Sequence, residues 1–182
     1  MAHWRRWLRP RCFTLAEGNA LTHGPVIEVV ASTRSTNADL AARLSEGSSY
    51  PEGQWLVARQ QTGGRGRLGR EWFDGLGNFM GSTVVGINDA DPYPASLALV
   101  AGLAVHEAVS PHVPPPMQAL LKWPNDVLIG GAKLAGILLE RVKDNVIVGI
   151  GVNLAAAPDL PDRQAVALSS FGPAPDLEHF AE

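Results

Sequence analysis

The residues best equipped for chemistry fall at 60–72, Gln-Gln-Thr-Gly-Gly-Arg-Gly-Arg-Leu-Gly-Arg-Glu-Trp. A run this rich in glycine and arginine is a poor helix or strand interior, because glycine loses too much backbone entropy there. It can instead fold a mobile loop around an anion, with N–H groups and guanidinium forks converging on phosphate or carboxylate. Lys122 and Lys133 stand near turns, and each alone reads as a solvated charge. With Arg65 and Arg67 they can surround an acyl phosphate or a triphosphate. No Ser-His-Asp or Cys-His arrangement accompanies them, and the five histidines lack metal-ligand spacing. The chemistry on offer is electrostatic and positional.

The rest of the chain must hold that loop against a pocket. Its 182 residues suffice for one domain with a core, and 46% hydrophobic with 18% charged residues suits a globular fold. The formal net charge of −3 provides no basic field for nonspecific nucleic-acid binding, so an anion must be held by local charge. A single cysteine, Cys12, excludes an intrachain disulfide and points to a reducing cytoplasm. Cys12 has no paired base in view and reads as inert. Residues 1–24 form an arginine-rich leader without the apolar run of a signal peptide. No stretch approaches the ~20 apolar residues of a membrane span.

Pattern and punctuation predict strands at 26–31, 55–59 and 78–87. A helix is expected from a Ser35 or Thr36 cap to about Glu46, with Leu40, Ala41 and Leu44 inward and Gly47 as its stop. Ser35, Thr36 and Asn37 can be simple caps, or they can present hydroxyls and N–H groups to a ligand. Pro94 opens a second helix to about Ser110, with Leu97, Val100, Ala101, Ala104, Val105 and Ala108 inward. The prolines of 111–116 make a stiff connection. Strands follow at 120–123, 127–129, 133–141 and 146–154, with hairpin turns at Gly130-Gly131 and Asp144-Asn145. Consecutive antiparallel strands favour α+β over a doubly wound sheet. The chain then reads as loose and proline-rich until a helix start at Asp176.

Five motifs stand in order: Ser35-Thr36-Asn37; Gln61 with Gly64-Arg65-Gly66-Arg67 and Trp72; Lys122-Trp123-Pro124-Asn125-Asp126; Lys133-Leu134-Ala135-Gly136-Ile137-Leu138; and Gly151-Val152-Asn153-Leu154. Together they resemble the catalytic domain of biotin protein ligases over about residues 26–155. The resemblance implies an α+β fold like that of class II aminoacyl-tRNA synthetases, with a mixed, largely antiparallel sheet flanked by helices. It implies that biotin, ATP and Mg²⁺ give biotinyl-5′-AMP, which a lysine of a biotin carboxyl carrier protein then attacks in the cytoplasm.

By the same resemblance, Ser35, Thr36, Asn37, Gln61, Gly64, Gly66 and Gly136 belong to the biotin pocket, together with Arg65, Arg67 and Lys133. Arg65 and Arg67 would bind phosphate and order the loop. Lys133 would bridge the biotin carboxyl and the α-phosphate, with Lys122 helping at the phosphates. Trp72, Asn125 and Asn153 would meet the nucleotide, and Asp126 would orient the incoming lysine. The family often carries an N-terminal winged helix that 1–24 cannot hold, so a monofunctional ligase is expected. The span 25–182 would be a catalytic domain shortened at its C-terminal end, without the small β-barrel of the family. A homodimer is compatible with this reading; a nucleic-acid or membrane partner is not expected. A lipoate or octanoyl ligase or transferase shares the fold, but the Gly-Arg-Gly-Arg loop with Lys-Trp-Pro-Asn-Asp argues against it. A non-catalytic biotin- or adenylate-binding remnant is the other alternative.

Overall fold

Short β-branched runs, punctuated by glycine, proline and Asx turns, build seven strands of one mixed sheet. The computed structural model describes residues 26–161 and 163–181; Cys12 and the arginine-rich leader lie outside the described residues. The strands are β1 (Ile27–Val30), β2 (Trp55–Ala58), β3 (Phe79–Gly86), β4 (Ala119–Lys122), β5 (Asp126–Ile129), β6 (Ala132–Val142) and β7 (Asn145–Val152). Their order across the sheet is β1-β2-β3-β7-β6-β5-β4. β1 and β2 run parallel, joined through helix α1 (Thr36–Ser45), and the remaining neighbours are antiparallel. The expected α+β class with a largely antiparallel sheet is therefore the observed one.

Local chemistry explains the joints. Ser35 is in extended conformation at the α1 N-cap, and its side chain accepts from Ala38 N at 3.5 Å. Beyond Ser45 the chain turns at Gly47, whose φ of +89° suits glycine. Gly130 and Gly131 link β5 to β6 with φ of +58° and +86°, the left-handed pair that a two-residue type I′ hairpin needs.

The helices α1 and α2 (Leu97–Val109) cover opposite faces. Leu40 and Leu44 of α1 pack with Leu56, Val84 and Ile147, whereas Leu97, Ala98 and Ala101 of α2 pack with Ile137, Val146 and Val148. The alternation along β7 assigns Ile147 to one face and Val146 and Val148 to the other. The buried stripe of α2 is rotated from the expected one. Ala98, Gly102 and Val109 are buried, while Ala104 and Ala108 are exposed and Val100 is half-buried. This helix is apolar nearly all round, so periodicity alone leaves its rotation open.

The stretch after β7 is less loose than its prolines suggest. Lys133 N donates to Gln164 O and Val166 N to Lys133 O, both at 2.9 Å, which lays a short parallel bridge beside the start of β6. Fully buried Asn78 clamps the same stretch: its Oδ1 accepts from Ala155 N and Ala156 N, and its Nδ2 donates to Ala156 O. The short helix α3 (Leu177–Ala181) starts at Asp176, whose Oδ1 accepts from Glu178 N and His179 N. Its Phe180 packs edge-on against Phe79 with 5.6 Å between ring centroids. Among the described residues no helix is long and apolar enough to cross a membrane.

Candidate active site

The floor of the site is built where side chains are missing. Gly136 of β6 pairs with Gly151 of β7, and Gly149 of β7 pairs with Ser82 of β3, all on the face that carries α1. A Cβ on Gly136 would stand 2.9 Å from the Trp72 ring and 3.0 Å from Lys133 Nζ. One on Gly151 would lie 2.6 Å from Trp72 Nε1, and one on Gly149 would collide with the Asn37 amide. Indole, ammonium and amide therefore rest on bare backbone, an approach that only glycine permits.

One wall is a buried polar network at the start of α1. Gln61 Oε1 accepts from Thr36 N at 2.7 Å and lies 3.1 Å from Thr36 Oγ1. Thr36 Oγ1 is 2.6 Å from Ser82 Oγ, and Ser82 Oγ donates to Asn37 Oδ1 at 2.6 Å. Asn37 Nδ2 donates in turn to Glu140 Oε2 at 2.7 Å. Ser35, Thr36, Asn37, Gln61 and Ser82 are all buried, so these partners fix their rotamers.

The opposite wall is the 60–72 loop, which folds as a tight hairpin. Trp72 N donates to Gly64 O at 2.9 Å and Gly66 N to Arg70 O at 2.7 Å, with Leu68 and Gly69 left-handed at its tip. Gly64 packs behind this hairpin, where a Cβ would press Trp72 O and Gln61 Nε2. Arg67 Nη1 reaches across the cleft to Asn125 Oδ1 at 2.9 Å, and Asn125 Nδ2 donates to Ile137 O. Arg65 Nη2 faces Glu140 Oε1 at 3.7 Å.

Lys133 sits at the centre. Its Nζ is 2.7 Å from Asp126 Oδ1 and 5.3 Å from the Trp72 ring centroid, a cation–π distance. Asp126 thus holds Lys133. Two cavities meet there. The first, about 50 Å³, is lined by Ser35, Thr36, Asn37, Gln61, Arg65 and Gly136, among others. The second, about 300 Å³, is lined by Phe73, Lys122, Trp123, Asp126, Asn153 and Arg163, among others. Gly66, Arg67, Trp72, Asn125 and Lys133 line both.

The second cavity carries five cations, Arg67, Arg70, Lys122, Lys133 and Arg163, against two carboxylates, Glu71 and Asp126. That balance suits a polyanion with an apolar, aromatic end. Trp72 Nε1 and Asn153 Oδ1 are buried without a hydrogen-bond partner, a costly state that a ligand can relieve. Asn153 Nδ2 faces Lys133 O and Val166 O at 3.4 and 3.2 Å, which leaves Oδ1 as the side-chain atom open to a ligand. Of these two cavities, Arg65 lines the first and Lys122 the second. Sequence reasoning passed over Ser82, Glu140 and Arg163, and took Arg70 only as part of the 60–72 run. For Ser82 and Glu140 a signal existed, since each stands beside one other polar residue, Thr83 and Arg141, at a break in a largely apolar run.

Comparisons with known proteins follow the same lines. Residues 29–154 match the biotin/lipoate A/B protein ligase family. The biotin--[acetyl-CoA-carboxylase] ligase of Mycobacterium tuberculosis is 44% identical over 160 residues, covering 85% of this chain and 59% of that protein. The ligase of the same name from Paracoccus denitrificans is 46% identical over 136 residues, 72% of this chain and 55% of that protein. The chain thus spans somewhat over half the length of these relatives. Among solved structures, the biotin protein ligase from Aquifex aeolicus in complex with biotin and ATP superposes with a TM-score of 0.72 at 32% identity, over 85% of this chain and 65% of that one. The Leishmania major biotin protein ligase in complex with biotinyl-5-AMP gives 0.70 at 27% identity, over 86% and 70%.

Proposed function

The chain belongs to the biotin/lipoate A/B protein ligase family, and from that premise we propose that it activates biotin with ATP and transfers it to a lysine of a biotin carboxyl carrier protein. The observation that carries this reading is the pair of cavities meeting at Lys133, one walled by amides and hydroxyls and the other by cations.

In the first step a biotin carboxylate oxygen forms a bond to the α-phosphorus of ATP. The α–β phosphoanhydride bond breaks, and pyrophosphate departs with its electron pair. The Ser35, Thr36, Asn37 and Gln61 group is matched to a ureido head, which offers both donors and an acceptor. Lys133, steadied by Asp126, lies where the carboxylate and the α-phosphate would meet and opposes the charge that grows there. Arg67, Arg70, Lys122 and Arg163 supply charge for the phosphates, and Trp72 supplies a flat surface for the base. In the second step the carrier lysine amine attacks the acyl carbon, the acyl C–O bond breaks and AMP leaves. Arg67 reaching Asn125 draws the loop across the cleft, which protects the mixed anhydride from water.

Among the described residues no three His, Cys, Asp or Glu side chains gather as a metal site. That donor set fits Mg²⁺ held chiefly by phosphate oxygens, with Asp126 and Glu71 the carboxylates at hand. The ion would neutralise polyphosphate charge. A cytoplasmic location, the carrier protein as acceptor and compatibility with a homodimer belong to the same proposal.

The test is incubation of the purified chain with labelled biotin, MgATP and a carrier domain. Labelled carrier is the expected product. Adenylate without labelled carrier would restrict the function to activation, and failure to bind biotin would remove the reading altogether.

A further inference from the structure

Glu140 is the carboxylate that accepts from the Asn37 amide in the polar network of the first cavity, and none of the roles above uses it. Its two oxygens face different partners: Oε2 accepts from Asn37 Nδ2 at 2.7 Å, and Oε1 stands 3.7 Å from Arg65 Nη2. The network that ends there starts at Gln61 and passes through Thr36, Ser82 and Asn37. It therefore leaves the 60–72 loop, crosses α1, β3 and β6, and returns to the same loop at Arg65.

The groups themselves set the direction of this relay. An ionised carboxylate can only accept, so Asn37 must turn its NH₂ toward Glu140 and its carbonyl toward the Ser82 hydroxyl. At 3.7 Å the Arg65 contact is an ion pair without a hydrogen bond, leaving the guanidinium N–H groups for an incoming anion.

We propose that Glu140 is a positioning residue that sets the Asn37 amide in the head-group pocket and poises Arg65 at its mouth, coupling substrate recognition to loop position. The inference rests on the ligase reading and adds to it a residue that acts through two others.

A double-mutant cycle on Glu140→Gln and Arg65→Ala tests it, since glutamine keeps the shape and an acceptor for Asn37 while removing the charge that faces Arg65. Glu140→Gln should leave biotin affinity within about twofold and slow adenylate formation about fivefold, the fold-change matching an exposed ion pair. In the Arg65→Ala background the same substitution should cost nothing further. A cost that persists undiminished without Arg65, or a fall in biotin affinity equal to the fall in adenylate formation, would show ordinary structural support and overturn the proposal. The cycle is read a second time in affinity for ready-made biotinyl-5′-AMP. A wild-type chain that binds this adenylate without forming it defeats the activity reading, while the binding cycle still decides Glu140 by the same rule. A wild-type chain that does not bind it overturns both.

Discussion

Replacing Lys133 by alanine separates binding from chemistry. Its ammonium is paired with Asp126 at 2.7 Å, and the two side chains are 19% and 23% exposed, so the site is mostly shielded from water. Loss of one preorganised group that opposes developing charge costs about 10²–10³ in rate in such surroundings. The residual exposure of Lys133 argues for the lower half of that range. The head-group wall of Thr36, Asn37, Gln61 and Ser82 makes no hydrogen bond to Lys133, so biotin affinity should fall less than about tenfold. Asp126 would lose its partner but keep contact with solvent, which limits the stability cost to about 1 kcal/mol, or about 2–4 °C in Tm. The assay measures single-turnover adenylate formation beside calorimetric biotin binding. Adenylate formation within tenfold of wild type, or biotin affinity lost in proportion to rate, would refute the central role of Lys133.

Other outcomes follow from the same geometry. Gly151→Ala places a methyl group inside the Trp72 ring contact; it should cost about 1–3 kcal/mol in thermal unfolding and weaken ATP binding more than biotin binding. Burial pushes the Tyr50 hydroxyl up to about 12, with Glu28 adding and Arg43 opposing, so a 295 nm titration should show one tyrosine ionising late. Because that folded pKa is raised, its contribution to stability is complete below about pH 10 and is lost as pH rises through the folded value. Glu28 has the opposite sign. Its hydrogen bonds to Arg43 lower its pKa, so the pair contributes stability above the ordinary carboxylate range and loses it as pH falls through the lowered folded value; Arg43→Met should reduce stability modestly at neutral pH and converge on wild type in acid. Backbone amides of 60–72 should gain hydrogen-exchange protection on addition of biotinyl-5′-AMP; unchanged exchange would argue against the loop as a lid.

Much of the site was legible because its residues come in short, chemically loaded runs. Ser35 caps α1, Gly130-Gly131 turns the β5–β6 hairpin, and the Gly-Arg loop connects β2 to β3, all signals within a few residues of one another. What remained hidden depends on partners distant in the chain. Ser82 matters because β3 pairs with β7 and brings it under Asn37, and Glu140 matters because β6 carries it to Arg65. Gln164 and Val166 join the sheet through backbone groups alone, which leave no mark in residue type. The rotation of α2 was misread because apolar residues surround it.

The pairing of β3 with β7, from Phe79 against Val152 to Gly86 against Asn145, has a kinetic corollary. The pocket floor closes only when strands separated by a helix and two hairpins have found one another, and long-range closure of this kind is slow. No fragment of the chain holds Ser82, Gly149 and Glu140 in place ahead of that event. Acquisition of biotin affinity during refolding should therefore coincide with the last cooperative phase. By mass action, a ligand that fills the pocket then steadies the whole sheet, including edge strands it never touches.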